Sequence, residues 1–316
     1  MQATVLGKEA HRKETAVANS EEGRLGKGSF TLGCALAALQ AILYSTMGIF
    51  GKLLYATGLG PEQVVLLRFF FSAVLLGAFL LVWRKQRLIS RQPSVYVQAV
   101  FFFASALFYF LAVNRLTAGM TTVIFYSYPA MVAIGSSVFL REKFTAATAV
   151  ALLLAMVGLV LVAVPLGGEV QLDPLGVGEA IVSCASFAIY TLLIHKTART
   201  DGPLTVTFTL SLCSLVAGCV VFAGHIPALA GISVTQIGLS CGLALASTIV
   251  PIVLYIEAVK RIGATKSSLI GVCETPSSLL LAFLILGETI TLNQGIGSLF
   301  IVASILVITI PPLLKK

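Results

Sequence analysis

Apolar residues run along this chain in ten blocks, each about 20 residues long, which is the length that crosses a bilayer as a helix. Pro, Gly and charged residues bracket the blocks, and spanning helices are predicted near 31–56, 61–83, 94–114, 117–140, 145–165, 174–196, 203–224, 234–258, 262–286 and 291–313. The gaps are short, so neighbouring helices must form antiparallel hairpins with no room for a soluble domain. The fold class that follows is all-α: a polytopic membrane protein of ten transmembrane helices, preceded by a polar tail.

Composition strengthens this reading. Of 316 residues, 58% are hydrophobic and 11% charged, against roughly 45–50% and about 25% in an ordinary soluble domain. Polar groups are too few to cover a water-facing surface, so lipid must be the solvent. The formal net charge of +8 does not point to nucleic acid, because the Lys and Arg residues sit in short gaps between apolar runs rather than on one soluble face. The six cysteines, at 34, 184, 213, 219, 241 and 273, lie within or beside apolar runs without CxxC spacing and read as small packing residues. Residues 1–28 are polar and lack the apolar core of a signal peptide, and are predicted as a disordered cytoplasmic tail.

Charge then sets the orientation. Lys and Arg near spans favour the cytoplasmic side, and eighteen of the 21 fall on one side of the predicted helices. They include Arg84, Lys85, Arg87 and Arg91, then Arg141 and Lys143, Lys196 and Arg199, Lys260, Arg261 and Lys266, and the final Lys315 and Lys316. The opposite loops hold only Arg115. Both termini are therefore predicted to be cytoplasmic, in the cell membrane, with the basic loops near anionic headgroups.

The two halves repeat one another. YFLAVNRLTAGMTTVIFYSYPAMVAIGSSVFLREKFT from Tyr109 aligns with YIEAVKRIGATKSSLIGVCETPSSLLLAFLILGETIT from Tyr255. Arg115 pairs with Arg261 and Glu142 with Glu288 at an offset of 146, and Pro129 with Pro276 at 147. Each unit, 29–166 and 167–316, holds five spans. Five is odd, so the second unit enters the membrane from the side opposite to the first, and Arg115 and Arg261 duly fall on opposite faces. Two inverted repeats around a central site are a recurrent plan of secondary transporters.

The five-span repeat, LLRFFFSAVLLG at 66–77, YPAMVAIGSSVFLREK at 128–143 and ETPSSLLLAFLILGE at 274–288 together resemble the EamA family of the drug/metabolite transporter superfamily, from about residue 30 to 314. The resemblance implies ten helices around a central cavity and, often, export of amino acids or other metabolites. Two positions depart from the family pattern: its adjacent Glu-Pro is split here as Glu274-Thr275-Pro276, and Arg141 stands where a Gly usually precedes Glu142.

Within the spans, ionisable groups are expensive and hence candidates for function. Glu274 lies near the middle of the ninth span, two residues before Pro276, which should bend or open that helix. Tyr126, Tyr128 and Pro129 hold the equivalent place in the fourth. Glu274 would engage a substrate ammonium or hydroxyl, exchange a proton, or, without any transport role, hydrogen-bond to a neighbouring Ser or Thr. Arg68 in the second span is a candidate for a substrate carboxylate or, alternatively, a partner of Glu179. Lys266 is a candidate for an anionic group at the cytoplasmic end or for a lipid headgroup, and Lys52 reads as an interface anchor. Glu142 and Glu288, ending the fourth and ninth spans on opposite faces, form a structural or gating pair. Glu257 should pair with Lys260 or Arg261 along one helix. Gly238, Gly242 and Ala246 in the eighth span would let another helix approach closely, and Pro251 should bend it.

These residues favour a secondary transporter of a small polar metabolite, an amino acid or relative, moved by alternating access, with export as the direction, no cofactor or metal, and proton coupling as one option. Import or exchange of a phosphorylated metabolite or nucleotide sugar is the alternative within transport. An intramembrane enzyme acting on lipid is the alternative of another class. It would need a nucleophile, a base or metal ligands close together, whereas the three histidines are dispersed and neither HExxH nor GxSxG occurs. Gly26-Lys27-Gly28 lacks the remainder of a phosphate loop.

Overall fold

A computed structural model of the chain describes residues 27–84, 87–116, 118–163, 173–197, 201–226, 231–287 and 289–314. Residues 1–26 of the predicted tail lie outside the described residues, as do Lys85, Arg199, Glu288, Lys315 and Lys316. Ten helices long and apolar enough to cross a membrane occur among the described residues. They are α1 (Gly28–Ala56), α2 (Pro61–Val82), α3 (Pro93–Arg115), α4 (Met120–Phe139), α5 (Ala146–Ala163), α6 (Pro174–His195), α7 (Pro203–Val221), α8 (Val234–Ile262), α9 (Ala264–Leu286) and α10 (Leu292–Ile310).

Local chemistry starts these helices where the sequence predicts. α2, α3, α6 and α7 each begin with proline, whose missing N–H costs nothing in a first turn. Ser233 caps α8: its hydroxyl accepts from the Gln236 N–H at 3.2 Å, while the Gln236 side chain accepts from the Ser233 N–H at 2.8 Å. Inside the spans, Thr207 and Thr209 donate to carbonyls one turn back, which satisfies hydroxyls that lipid cannot.

The helix pairings follow the duplication. α3 packs on α6 as α8 packs on α1, and α4 packs on α6 as α9 packs on α1, while α2 with α7 and α5 with α10 meet across the halves. Exchanging each helix of these pairs for the one five places on returns the same pairs. Contacts between loops sort the helix ends into two faces. On the face that carries the chain ends, Ser90 donates to Asp201 and Glu142 meets Ala264. On the opposite face Arg115 reaches Glu179 at 3.3 Å and Asp173 at 3.6 Å, and Gln236 reaches the Thr57 carbonyl at 3.2 Å. α1 thus starts at the face of the termini and α6 at the other.

The aromatic and aliphatic core sits where α2, α3, α4, α6, α7 and α8 converge, around Phe69, Phe102, Tyr128, Tyr190 and Ile252. Outside it, Val138, Leu153, Leu284 and Leu299 remain exposed, as a surface that lipid covers must. Glycine spacing in α8 is used only in part. A Cβ at Gly242 would lie 2.7 Å from the Phe50 ring of α1, whereas one at Gly238 would meet nothing within 4 Å. The expected close packing therefore holds at Gly242 and not at Gly238, which faces away from the neighbouring helix.

Candidate functional site

Two spans are broken at their middles, and at matching places. α4, with its leading turn, consists of the segments Ala118–Phe125 and Tyr128–Phe139, and α9 of Ala264–Gly271 and Glu274–Leu286. The turns at 126–127 and 272–273 are 146 residues apart, the offset of the repeat itself. Proline explains both breaks: Pro129 and Pro276 remove an N–H just after each turn, so the segment that follows starts as a new helix. A broken helix exposes backbone polar groups in mid-span, which is tolerated where they line a cavity or are buried in protein.

Glu274 opens the second segment of α9, in its first turn, where a carboxylate is favoured by the helix dipole. Tyr126, from the break in α4, lies close enough for its hydroxyl to interact with the carboxyl group. The two breaks thus bring Tyr126 and Glu274 near one another. Tyr128 lies one step deeper, 4% exposed, with its hydroxyl 3.4 Å from the Ser268 carbonyl of α9.

Arg68 comes to the same place from α2, and a third proline puts it there. α8 carries a wide turn at Leu245–Ile249, just before Pro251. Pro251 has no N–H to give to the Ser247 carbonyl four residues back, and Arg68 Nη2 supplies one at 3.1 Å. Arg68 Nε donates to Thr248 Oγ1 at 2.6 Å and Nη1 points to Met47 Sδ at 3.0 Å. The Ser247 hydroxyl is held by Thr46 at 3.0 Å, so α1, α2 and α8 meet at this turn. The sequence had offered Glu179 as a partner for Arg68; the structure gives Glu179 to Arg115 instead, because both stand at the far end of α3 and α6 while Arg68 lies inside the bundle. Glu257, as expected, pairs with Arg261 and, at 4.0 Å, with Lys260.

Arg68 and Glu274 are near enough for their charges to act on one another, and Tyr44 of α1 feels both. Yet the guanidinium gives its bonds to α8 and Met47 rather than to the carboxylate. Arg68, Glu274, Tyr126, Tyr44 and Tyr109 each keep partial solvent access. Aromatic rings form a chain beside these residues. Tyr109 lies 5.3 Å from Phe125, Phe125 lies 5.3 Å from Tyr126 and 5.4 Å from Phe187, and Phe187 lies 5.4 Å from Tyr190. Tyr44, Tyr109, Phe125, Phe187, Ser247 and Thr248 were not singled out by sequence reasoning. The register of Tyr109 with Tyr255 was a signal, but a lone aromatic in an apolar helix carries no mark of what it faces.

The remaining candidates stand elsewhere. Lys266 lies over the Phe30 ring, 5.5 Å from its centre, at the face of the termini and away from Glu274. Glu142 caps the start of α9, and Glu288 lies outside the described residues. Pro251 lies just after the wide turn of α8. Among the described residues no cluster of His, Cys, Asp or Glu is placed to hold a metal.

A ten-span helical bundle with ionisable and aromatic side chains gathered near two broken helices is consistent with a membrane transporter. Comparison with known proteins agrees: the pattern of the EamA-like transporter family matches twice, over residues 31–164 and 174–310. The chain belongs to the EamA-like transporter family and is a multi-pass membrane protein. Over 283 residues it is 28% identical to an uncharacterized transporter of Archaeoglobus fulgidus, covering 87% of this chain and 95% of that one. It is 25% identical to the uncharacterized transporter YcbK of Bacillus subtilis, over 84% of this chain and 88% of the relative. One crystal structure shares the fold with a TM-score of 0.73 at 18% identity, over 88% of this chain and 96% of that one.

Proposed function

We propose that this protein is a secondary transporter that carries a small zwitterion of the amino-acid kind through the opening between α4 and α9 by alternating access. The reading is supported by an arginine and a carboxyl group within one bundle, Arg68 held by Ser247 and Thr248 of α8 and Glu274 at the break in α9, close enough for their charges to act on one another. A carboxylate suits the free edge of the guanidinium, which presents five donors and uses three here. An ammonium suits Glu274, and the aromatic wall supplies apolar surface and cation–π attraction between them. Units 29–166 and 167–316 act as inverted halves, both termini face the cytoplasm of the cell that bears the protein in its cytoplasmic membrane, and net movement is export, the direction the family resemblance implies.

The test is counterflow in proteoliposomes holding purified protein, loaded with one unlabelled amino acid at a time and given its labelled form outside. The reading expects at least one neutral amino acid to accumulate transiently above vesicles bearing Glu274→Ala. No accumulation for any member of the panel overturns it, and accumulation of sugar phosphates or nucleotide sugars instead would move the substrate to the other class.

A further inference from the structure

Glu142 sits just after the end of α4 and spends its carboxylate on the start of α9 and the end of α6. Oε1 accepts from the Ala264 N–H at 3.0 Å, and Oε2 accepts from the Thr265 hydroxyl at 2.6 Å and from the Thr265 N–H at 3.4 Å. His195 Nδ1, at the end of α6, stands 3.7 Å from Oε1. Two N–H groups at the start of α9, those of Ala264 and Thr265, are therefore satisfied by the carboxylate that follows α4, which suits the positive end of the helix dipole.

Both backbones are shaped to this contact. Arg141 adopts a left-handed conformation, φ 58°, unusual for a residue with a side chain, and it turns the chain so that the Glu142 N–H folds back to the Ser136 carbonyl at 3.1 Å. Gly263, at φ 83°, faces the carboxylate so closely that a Cβ there would lie 2.6 Å from Oε1. Only glycine fits.

The packing of α9 divides at its break. Seven of the eight residues of Ala264–Gly271 are buried, and this segment packs on α1, α4, α5, α6, α8 and α10. Of the thirteen residues of Glu274–Leu286 only Thr275 is buried, and the segment packs on α1 and α10. α4 and α9 are thus clasped together at the face of the termini and part company beyond Glu274.

We propose that Glu142 is the latch that shuts the face of the termini, so that this structure is the state in which the Glu274 site opens to the opposite face. The latch rests on the alternating-access reading above, and names the contact that must break for the site to change sides.

The test needs no substrate. In protein whose only cysteine is the native Cys273, beside Glu274, with the other five replaced by serine, a membrane-impermeant maleimide is added to vesicles of either orientation. With Glu142 intact, Cys273 should react from the face opposite the termini. Glu142→Ala should raise its rate from the face of the termini by about tenfold or more, the scale of losing charge-assisted hydrogen bonds, and Glu142→Gln, which keeps one acceptor, by less. Unchanged labelling from the face of the termini overturns the latch. So does a loss of all sided labelling in both variants, which would make Glu142 a residue that merely holds the fold. Should labelling shift as expected while no solute in the panel moves, the latch stands and the transport reading falls.

Discussion

Arg68 donates to the Ser247 carbonyl at 3.1 Å, and that carbonyl is open because Pro251, four residues on, has no N–H to give it. A rigid fork is needed to hold Ser247 and Thr248 together and still present an edge to a carboxylate, which a single ammonium cannot do. Arg68→Lys should therefore raise the substrate concentration for half-maximal flux by about tenfold while leaving maximal flux much less affected, the scale of one charged hydrogen bond. The concentration dependence of counterflow checks this. An unchanged half-saturation would remove Arg68 from the site.

Glu274→Gln keeps the size of the side chain and an acceptor for Tyr126, and removes only the charge. Initial flux should fall by about tenfold to a hundredfold, and Tyr126→Phe, which removes a donor and leaves the charge, should cost less. Measuring both with and without a proton gradient separates two roles. Loss under every condition assigns Glu274 to the substrate, whereas loss of gradient-driven flux with exchange retained assigns it to proton handling.

Gly242 admits the Phe50 ring, so Gly242→Val should overpack α1 against α8 and destabilise the protein by about 1–3 kcal/mol. Phe50→Ala in the same chain should recover part of that loss, since the two substitutions share one contact. Thermal unfolding in detergent reads both.

Arg141 holds a left-handed φ of 58°, and its counterpart in the second unit, Gly287, has φ 70°. The departure from the family pattern at Arg141 thus leaves the backbone unchanged and places a side chain where one is disfavoured. Stability should rank Arg141→Gly at or above the native protein and Arg141→Val below it, by about 1 kcal/mol, because a β-branched residue tolerates this region least. The same unfolding assay ranks the three.

Much of this arrangement is legible in the sequence because the bilayer imposes it locally. Apolar runs bounded by Pro61, Pro93, Pro174 and Pro203 start helices at those residues, and Pro129 and Pro276 mark the two breaks to within a turn. Glu274 is conspicuous because a charge in an apolar run is costly. Contacts between helices leave no such trace. Nothing near Arg68 in sequence points to Ser247 and Thr248, some 180 residues away, and Glu179 looked an equally good partner until the fold put Arg115 beside it. Nor does a four-residue spacing of small residues say which of them meets a neighbour: Gly242 does and Gly238 does not.

The account stands on one site reading two opposite charges, and competition measures that directly. In counterflow of the labelled amino acid, a tenfold excess over its half-saturating concentration of the unlabelled compound, its decarboxylated amine or its deaminated acid is added outside. If Arg68 and Glu274 grip the two ends of one molecule, the intact zwitterion should abolish the labelled signal and each single-ended analogue should compete at least about tenfold less well, the cost of leaving one buried charge unpaired. Equal competition by the amine or the acid would contradict it.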